Sequence, residues 1–100
     1  SGDLSMQRRI EAAAALAPDP RTIPWLVAVV REDPLHTRAL TLLGNAQLAA
    51  GFQARAVQTL EQAAQSDPGD EAALRAFAAA LTETGQAGRA RAILDLLKEG

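Results

Sequence analysis

Between positions 54 and 66 the apolar residues recur at the spacing of an amphipathic helix. The apolar set, separated by one, three or four residues, is Ala56, Val57, Leu60, Ala63 and Ala64. The polar set that would lie on the other face is Gln58, Glu61, Gln62 and Gln65. Because 3.6 residues complete one helical turn, this arrangement buries one stripe and leaves the opposite face in water. The segment is therefore predicted to be a helix with one buried face.

The last segment of the chain shows the same arrangement. The residues predicted to face inward are Ala90, Ile93, Leu94 and Leu97, and those predicted to lie outward or at the flanks are Arg89, Arg91, Asp95 and Lys98. Neither segment has the strict alternation of a half-buried strand. Since Ile93, Leu94, Leu96 and Leu97 cannot all point at the preceding helix, we expect some apolar surface to remain on the folded domain.

Proline and glycine divide the chain into six intervals of high helix propensity. Helices are predicted near residues 4–17, 23–32, 37–50, 54–66, 71–84 and 88–99. Thr37 and Asp70 are predicted N-caps. Gly51 and Gly85 are predicted to end the first helix of a pair, where a left-handed backbone angle is accessible at little cost only to glycine.

The sequence repeats itself with a shift of 34 residues. The matching pairs are Asp33-Pro34 with Asp67-Pro68, Leu40 with Leu74, Gly51 with Gly85, Arg55-Ala56 with Arg89-Ala90, and Leu60 with Leu94. A fixed period of 20–50 residues is typical of stacked repeats. Within one repeat, Gly44 and Ala56 are small enough for two antiparallel helices to cross closely, because the residues at a contact set the distance between helix axes.

A 34-residue helix–turn–helix unit with this residue order resembles the tetratricopeptide repeat family. The matching positions of the central unit are Leu40, Leu43, Gly44, Ala56, Leu60, Ala63 and Pro68, with Gln47 in place of an aromatic residue. Those of the last unit are Leu74, Phe77, Ala78, Leu81, Ala90, Leu94 and Leu97. The first unit departs more, through Arg9 in place of a leucine and a proline-rich connection at 17–25. The resemblance therefore covers residues 22–100 more closely than the residues before them.

The resemblance implies an all-α fold, a right-handed superhelical stack of antiparallel helix pairs known as an α-solenoid. We expect one domain over residues 1–100, with about three repeats at approximately 3–34, 37–68 and 71–100. A chain of 100 residues with 48% apolar side chains has the size of one such domain.

Composition and charge argue against several classes of function and ligand for this chain. The net charge is −2 without long charged blocks, which gives no electrostatic footprint for nucleic acid or an anionic membrane surface. No apolar run approaches the ~18 residues of a membrane span. The chain has no cysteine, so disulfides and thiol chemistry are excluded, but the compartment stays open between the bacterial cytoplasm and periplasm. The bacterial origin rests on an alanine-rich composition that favours arginine over lysine.

Residues suited to catalysis or metal binding are few. His36 is the only histidine, and we interpret it as a solvated turn residue rather than a general base. Asp67, Asp70 and Glu71 lack the alternating ligands of a calcium loop, and helix capping explains them better. No phosphate loop, zinc spacing or serine elbow is present. The sequence therefore predicts a protein that is not an enzyme, with no cofactor and no metal.

Trp25 has two interpretations. It lies in a valine-rich segment and either anchors a partner from an exposed position or fills the core of an irregular first repeat, and core filling is favoured. Because this segment is apolar nearly all round, we expect other elements to cover it on more than one side.

The resemblance also implies a concave binding face, lined by the first helix of each pair. The candidate peptide-binding residues are Arg38, Thr41, Leu42, Asn45, Leu48, Ala72, Arg75, Ala76, Ala79 and Thr82. Arg38 and Arg75 could pair with an acidic ligand, and Asn45 could bind peptide backbone. Thr41 and Ala76 replace the basic residues of the family's carboxylate clamps, so a clamp of that kind is not expected.

Two functions of different class remain. The first is a non-catalytic module that binds a peptide or helical segment of a partner protein in its concave groove. The second is a structural stacking or self-association element of a larger repeat protein in bacterial envelope, secretion or complex assembly. In the second, either further repeats or a second copy of the chain would cover the exposed terminal helices, so a homo-oligomer is one expected state.

Overall fold

The computed structural model describes the backbone of residues 2–99 and the side chains of residues 4–98. In this part of the chain the regular elements are six α-helices and one short 3₁₀ turn, Pro20–Thr22, with no strand. The helices are α1 (Gly2–Leu16), α2 (Ile23–Glu32), α3 (Thr37–Ala49), α4 (Gln53–Ser66), α5 (Glu71–Glu83) and α6 (Ala87–Glu99). Each predicted helix is present and its ends agree with the prediction to within two residues, so the all-α prediction is confirmed.

The helices form three consecutive pairs, α1/α2, α3/α4 and α5/α6, each joined by a short connection and packed side by side. Contacts of α2 with α3 and of α4 with α5 hold successive pairs together, and α3 also contacts α1 and α5. The first helices of the three pairs therefore lie next to one another. The domain is elongated, with extents of 42 × 29 × 20 Å. The right-handed sense of the stack and the repeat boundaries stay predictions.

The close crossing of α3 and α4 depends on Gly44. A Cβ atom built on Gly44 would overlap the Cγ and Cδ2 atoms of Leu60, a side chain with no exposed surface. Ala56 is also fully buried. The predicted role of Gly44 is confirmed, with Leu60 as the residue that occupies the space above it.

Glycine is needed at the ends of α3 and α5 for a different reason. Gly51 and Gly85 have φ angles of 90° and 84°, and an added Cβ would meet no atom within 4 Å at either position. At the end of α3, the Phe52 N–H donates to the Gln47 carbonyl at 2.9 Å, which is the 6→1 hydrogen bond of the Schellman motif. The backbone angle requires glycine here, as predicted.

One of the two predicted N-caps is confirmed and the other is wrong. The Asp70 carboxylate accepts from the Ala73 N–H at 2.9 Å and caps α5. The cap of α3 is His36, not Thr37, because the backbone of His36 is extended and its Nδ1 accepts from the Ala39 N–H at 3.2 Å. Interpreting His36 as a solvated turn residue was therefore wrong, since the side chain is partly buried in this cap.

The Thr37 side chain instead forms a hydrogen bond between the start of α3 and the end of α4. Its Oγ1 lies 2.7 Å from the hydroxyl of Ser66, at the end of α4. The contact links the first residue of one helix to the last residue of the next.

The first pair is irregular where the prolines lie. The segment Pro20–Thr22 forms the 3₁₀ turn before α2 and packs against α3. Thr22 is buried, and its hydroxyl donates to the Asp19 carbonyl at 2.7 Å. The turn therefore takes the place of the first turn of the second helix.

The core-filling interpretation of Trp25 was wrong. Trp25 is 38% exposed, whereas its neighbour Leu26 and Val29 one turn later have no exposed surface. One step along a helix turns the side chain by about 100°, so the buried stripe that contains Leu26 leaves Trp25 at its edge. Both α1 and α3 contact α2, so the expected cover on more than one side is confirmed.

The last helix keeps apolar surface, as expected. Ala90 is buried and Ile93 partly buried, but Leu94 is 36% exposed and Leu96 60% exposed. The prediction that Leu94 faces inward was therefore wrong in part, because α5 covers only one side of α6.

Candidate binding cleft

An open cleft lies where the first helices of the three pairs end. It has a volume of about 670 Å³. Its lining residues are Ala17, Pro18, Asn45, Leu48, Ala49, Ala79, Thr82 and Glu83. They come from the connection after α1, from the last turns of α3 and from the second half of α5. We call this feature the terminal cleft.

Helical spacing brings the lining residues together. On α3, Leu48 and Ala49 lie three and four residues after Asn45, and on α5, Thr82 and Glu83 lie three and four residues after Ala79. Residues three or four apart share one face of a helix, so the two sets face each other across the cleft.

The floor of the terminal cleft is mostly apolar. Leu48 is partly buried and its inner side packs against the core formed by α4, α5 and α6. Ala49 and Ala79 are exposed, and their short side chains leave open space between the helices. The surface therefore offers burial to a side chain from outside.

The polar side chains of the lining are those of Asn45, Thr82 and Glu83. The hydroxyl of Thr82 donates to the Ala78 carbonyl at 3.0 Å, within its own helix. Asn45 is partly buried and Glu83 is exposed at the end of α5. The amide can both donate and accept, whereas the carboxylate only accepts when ionised.

The two arginines of the candidate site lie outside the terminal cleft. Arg38 contacts α1, where its Nη1 lies 2.5 Å from a carboxylate oxygen of Glu11. Arg75 pairs with Glu71 at 2.7 Å, four residues earlier on the same helix, and borders a surface depression with Leu94, Leu97 and Lys98. Both arginines therefore lie outside the cleft, nearer the N-terminal ends of α3 and α5 than the lining residues.

The other candidate residues also differ in placement. The Thr41 hydroxyl donates to the Thr37 carbonyl at 2.9 Å. Leu42 packs against the core between α1, α2 and α3, and Ala76 packs against the core around Phe77. Ala72 is exposed in the first turn of α5. The cleft unites Asn45, Leu48, Ala79 and Thr82 from the candidate set.

Sequence reasoning missed Ala17, Pro18, Ala49 and Glu83. Ala49 and Glu83 each lie four residues after a candidate residue, Asn45 and Ala79, so helical spacing could have identified them. No comparable signal marked Ala17 and Pro18, because their position depends on the path of the proline-rich connection after α1.

The acidic residues between α4 and α5 are used by the backbone. Asp67 accepts from the Gly69 N–H at 3.1 Å, and Asp70 caps α5. Among the residues that the structure describes, no group of three or more histidines, aspartates or glutamates is placed to hold a metal ion. These contacts favour the capping interpretation over a calcium loop.

Within the described side chains, Asp19, in the connection after Pro18, is the one carboxylate whose pKa is clearly shifted. Asp19 accepts hydrogen bonds from the Arg21 side chain at 2.6 and 2.9 Å and from its backbone N–H at 2.8 Å. These bonds, the side-chain ones first, lower the pKa of Asp19 below its ordinary value, and Asp19 in turn raises the pKa of Arg21. The pair is ionised at neutral pH and its charges cancel.

The helices of the described region are too short and too polar to cross a membrane.

A family model described as "Tetratricopeptide repeat" matches residues 54–99, from the second residue of α4 to the end of α6. This part of the chain is thus similar in sequence to the tetratricopeptide repeat family. No curated protein gives a significant match to the chain. The matched segment contains the α5 side of the terminal cleft, whereas Asn45, Leu48 and Ala49 lie before it. Tetratricopeptide repeats are generally protein–protein interaction modules.

Proposed function

We propose that this protein is a non-catalytic interaction module that holds a peptide or helical segment of a partner protein in the terminal cleft. The observation that carries the proposal is the convergence of Asn45 and Leu48 with Ala79 and Thr82 from the next helix pair. A concave site between two stacked pairs needs both of them in place, so binding would depend on the fold as a whole.

The chemistry of the cleft suits such a segment. Leu48, Ala49 and Ala79 would bury an apolar side chain, and the Asn45 amide would exchange one donor and one acceptor with peptide backbone. We expect moderate affinity, because ordering a flexible segment opposes binding by several kcal/mol.

Arg38 and Arg75 have a secondary role in this proposal. Their partners Glu11 and Glu71 are exposed, and exposed ion pairs contribute only about 0–1 kcal/mol. A ligand that extends beyond the cleft and carries a carboxylate could therefore replace either partner at little cost.

A selection from a displayed library of random 12-residue peptides tests the proposal. Ala79→Arg should lower the affinity for the selected peptides at least tenfold in a fluorescence binding assay, because the long arginine side chain would fill the cleft. Ala92→Arg is the matched control, since Ala92 is exposed on α6 outside the lining. Equal loss in both variants, or in neither, would contradict binding in the cleft.

The exposed leucines of α6 favour a second candidate function, self-association of the chain. Leu94 and Leu96 are 36% and 60% exposed, and a second copy could cover them. Sedimentation at rising concentration should then show a dimer or larger species, and Leu96→Glu should return the chain to a monomer. Monomeric behaviour of the unchanged chain at millimolar concentration would rule this candidate out.

A further inference from the structure

We infer that the segment held in the terminal cleft carries a lysine or arginine side chain next to an apolar anchor residue. This inference rests on the proposed function and specifies the chemistry of the partner. Its basis is the charge of the surfaces that surround the cleft.

Three helices present their carboxyl ends to the terminal cleft. α1 ends at Leu16 and α3 at Ala49, while Glu83 is the last residue of α5. Ala17, Ala49 and Glu83 all belong to the lining. Because peptide dipoles align along a helix, each carboxyl end carries a partial negative charge of about half an electron. A cation in the cleft is favoured by all three ends.

The chain does little to neutralise these helix ends with its own side chains. None of α1, α3 and α5 has a basic residue in its last turn. By contrast, the last turns of α2 and α6 contain Arg31 and Lys98. α4, which does not line the cleft, also has no basic residue in its last turn, so this absence is shared by all three helices that border the cleft but is not unique to them.

The lining itself adds a full negative charge. Glu83 is its one ionisable residue, and the carboxylate is exposed. Beyond the Ala17–Pro18 side, the next charged residues along the chain are Asp19 and Arg21, which neutralise each other at 2.6 Å. The side chains that line the cleft therefore carry a net negative charge, which comes from Glu83.

The apolar and charged parts of the cleft are adjacent. Leu48 is the residue before the end of α3, Ala79 lies about one turn before the end of α5, and Glu83 is the last residue of α5. An aliphatic side chain seated on the floor would place a neighbouring basic side chain within reach of Glu83. An acidic segment, or a free carboxyl terminus, would face the carboxylate and the three helix ends and would be repelled.

The test uses the displayed peptide library described above and the full chain. Selected peptides should contain an apolar residue beside a lysine or arginine. Replacing that lysine by norleucine in a synthetic peptide should weaken binding about three- to tenfold, and raising the salt concentration should weaken it further.

The matching change in the protein is Glu83→Gln. This variant should bind the lysine-containing peptide more weakly by the same factor, and its affinity for the norleucine peptide should be almost unchanged. Glu32→Gln is the control, because Glu32 is also an exposed last residue of a helix but lies on α2, outside the cleft. The peptide-side change keeps the test valid even if Glu83→Gln alters the fold.

The outcomes separate this inference from the proposed function. Peptides that Ala79→Arg blocks, but that contain no basic residue or bind Glu83→Gln as tightly as the unchanged chain, would overturn the inference and support cleft binding. Peptides that Ala79→Arg does not affect would overturn both.

Discussion

The central pair α3/α4 and the last pair α5/α6 contain the same residue type at one position and bury it differently. Leu60 on α4 and Leu94 on α6 lie 34 residues apart and occupy the same place on their helices. Leu60 has no exposed surface, whereas Leu94 is 36% exposed. α4 packs between α3 and α5, while α6 has α5 as its main neighbour. Leucines at the same position of two repeats therefore lie on similar helices, and the neighbouring helices determine how much each side chain is buried.

Polar contacts hold the last helix where apolar cover is incomplete. Arg89 of α6 forms an ion pair with Glu61 of α4 at 2.7 Å, and its guanidinium lies 5.2 Å from the ring centre of Phe77. Both partners of the ion pair are substantially exposed, so the pair contributes less than about 1 kcal/mol. α6 should accordingly be less firmly attached than α4.

The largest expected effect is the difference between Leu60→Ala and Leu94→Ala. Leu60→Ala should lower the free energy of unfolding by about 2–5 kcal/mol, because it leaves a cavity between α3, α4 and α5. Leu94→Ala should cost less than about 1 kcal/mol, since part of that side chain is already in water. Urea denaturation of both variants measures the difference. Similar losses would mean that a second copy covers α6 in solution.

Gly44→Ala should have the next largest effect. Alanine is the better helix former by about 1 kcal/mol, but its Cβ would overlap Leu60 and should cause a net loss of about 1–2 kcal/mol. The equivalent residue of the last pair is already alanine, Ala78, which is buried without that penalty.

A double variant checks the cause of that loss. In a Leu60→Ala background, Gly44→Ala should become neutral or stabilising, because the overlapping atoms are gone. A loss that persists in the double variant would show that the crossing at Gly44 does not limit the approach of the two helices.

Local sequence signals predicted the helices well and the surface of the first pair poorly. Gly51 and Asp70 mark helix ends through contacts within a few residues, and the 34-residue period is visible by comparing the sequence with itself. Both kinds of signal could therefore be identified without coordinates. The exposure of Trp25 and the position of Pro18 depend on which helices lie nearby. Gln47 shows the same limit: it is 5% exposed, and its Oε1 has no hydrogen-bond partner in the described residues.

The candidate site shows the same difference between local signals and the packing of helices. Helical spacing grouped Asn45 with Leu48 and Ala79 with Thr82, and these four residues line one cleft. It also assigned Arg38 and Arg75 to the same face, although both lie nearer the N-terminal ends of α3 and α5, outside the cleft. Periodicity identifies one face of one helix, and the relative position of two helices decides which parts of those faces meet.

Replacing the glycine that follows the first helix should destabilise the pairs α3/α4 and α5/α6 equally, and by less than the changes above. Gly51→Ala and Gly85→Ala each place a side chain at a φ near 90°, and each should cost about 1 kcal/mol. Nothing lies within 4 Å of the added Cβ at either site, so the cost is one of local backbone angle. Thermal unfolding should show matched shifts, and a clear inequality would mean that neighbouring helices influence these turns as well.

The smallest expected effect tests the first pair, where the 3₁₀ turn replaces regular helix. Asp19→Ala removes the cap of that turn and the hydrogen bonds from Arg21. Since those bonds lower the pKa of Asp19, its contribution to stability is present above the unfolded pKa of about 3.9 and is lost as the pH falls through the lower folded pKa. The unchanged chain should therefore be slightly more stable than the variant at pH 7, and the gap should close as the pH falls below the unfolded pKa. Urea denaturation of both proteins across this range measures the gap, and a gap that stays constant with pH would show that the ionised form of Asp19 does not stabilise the turn.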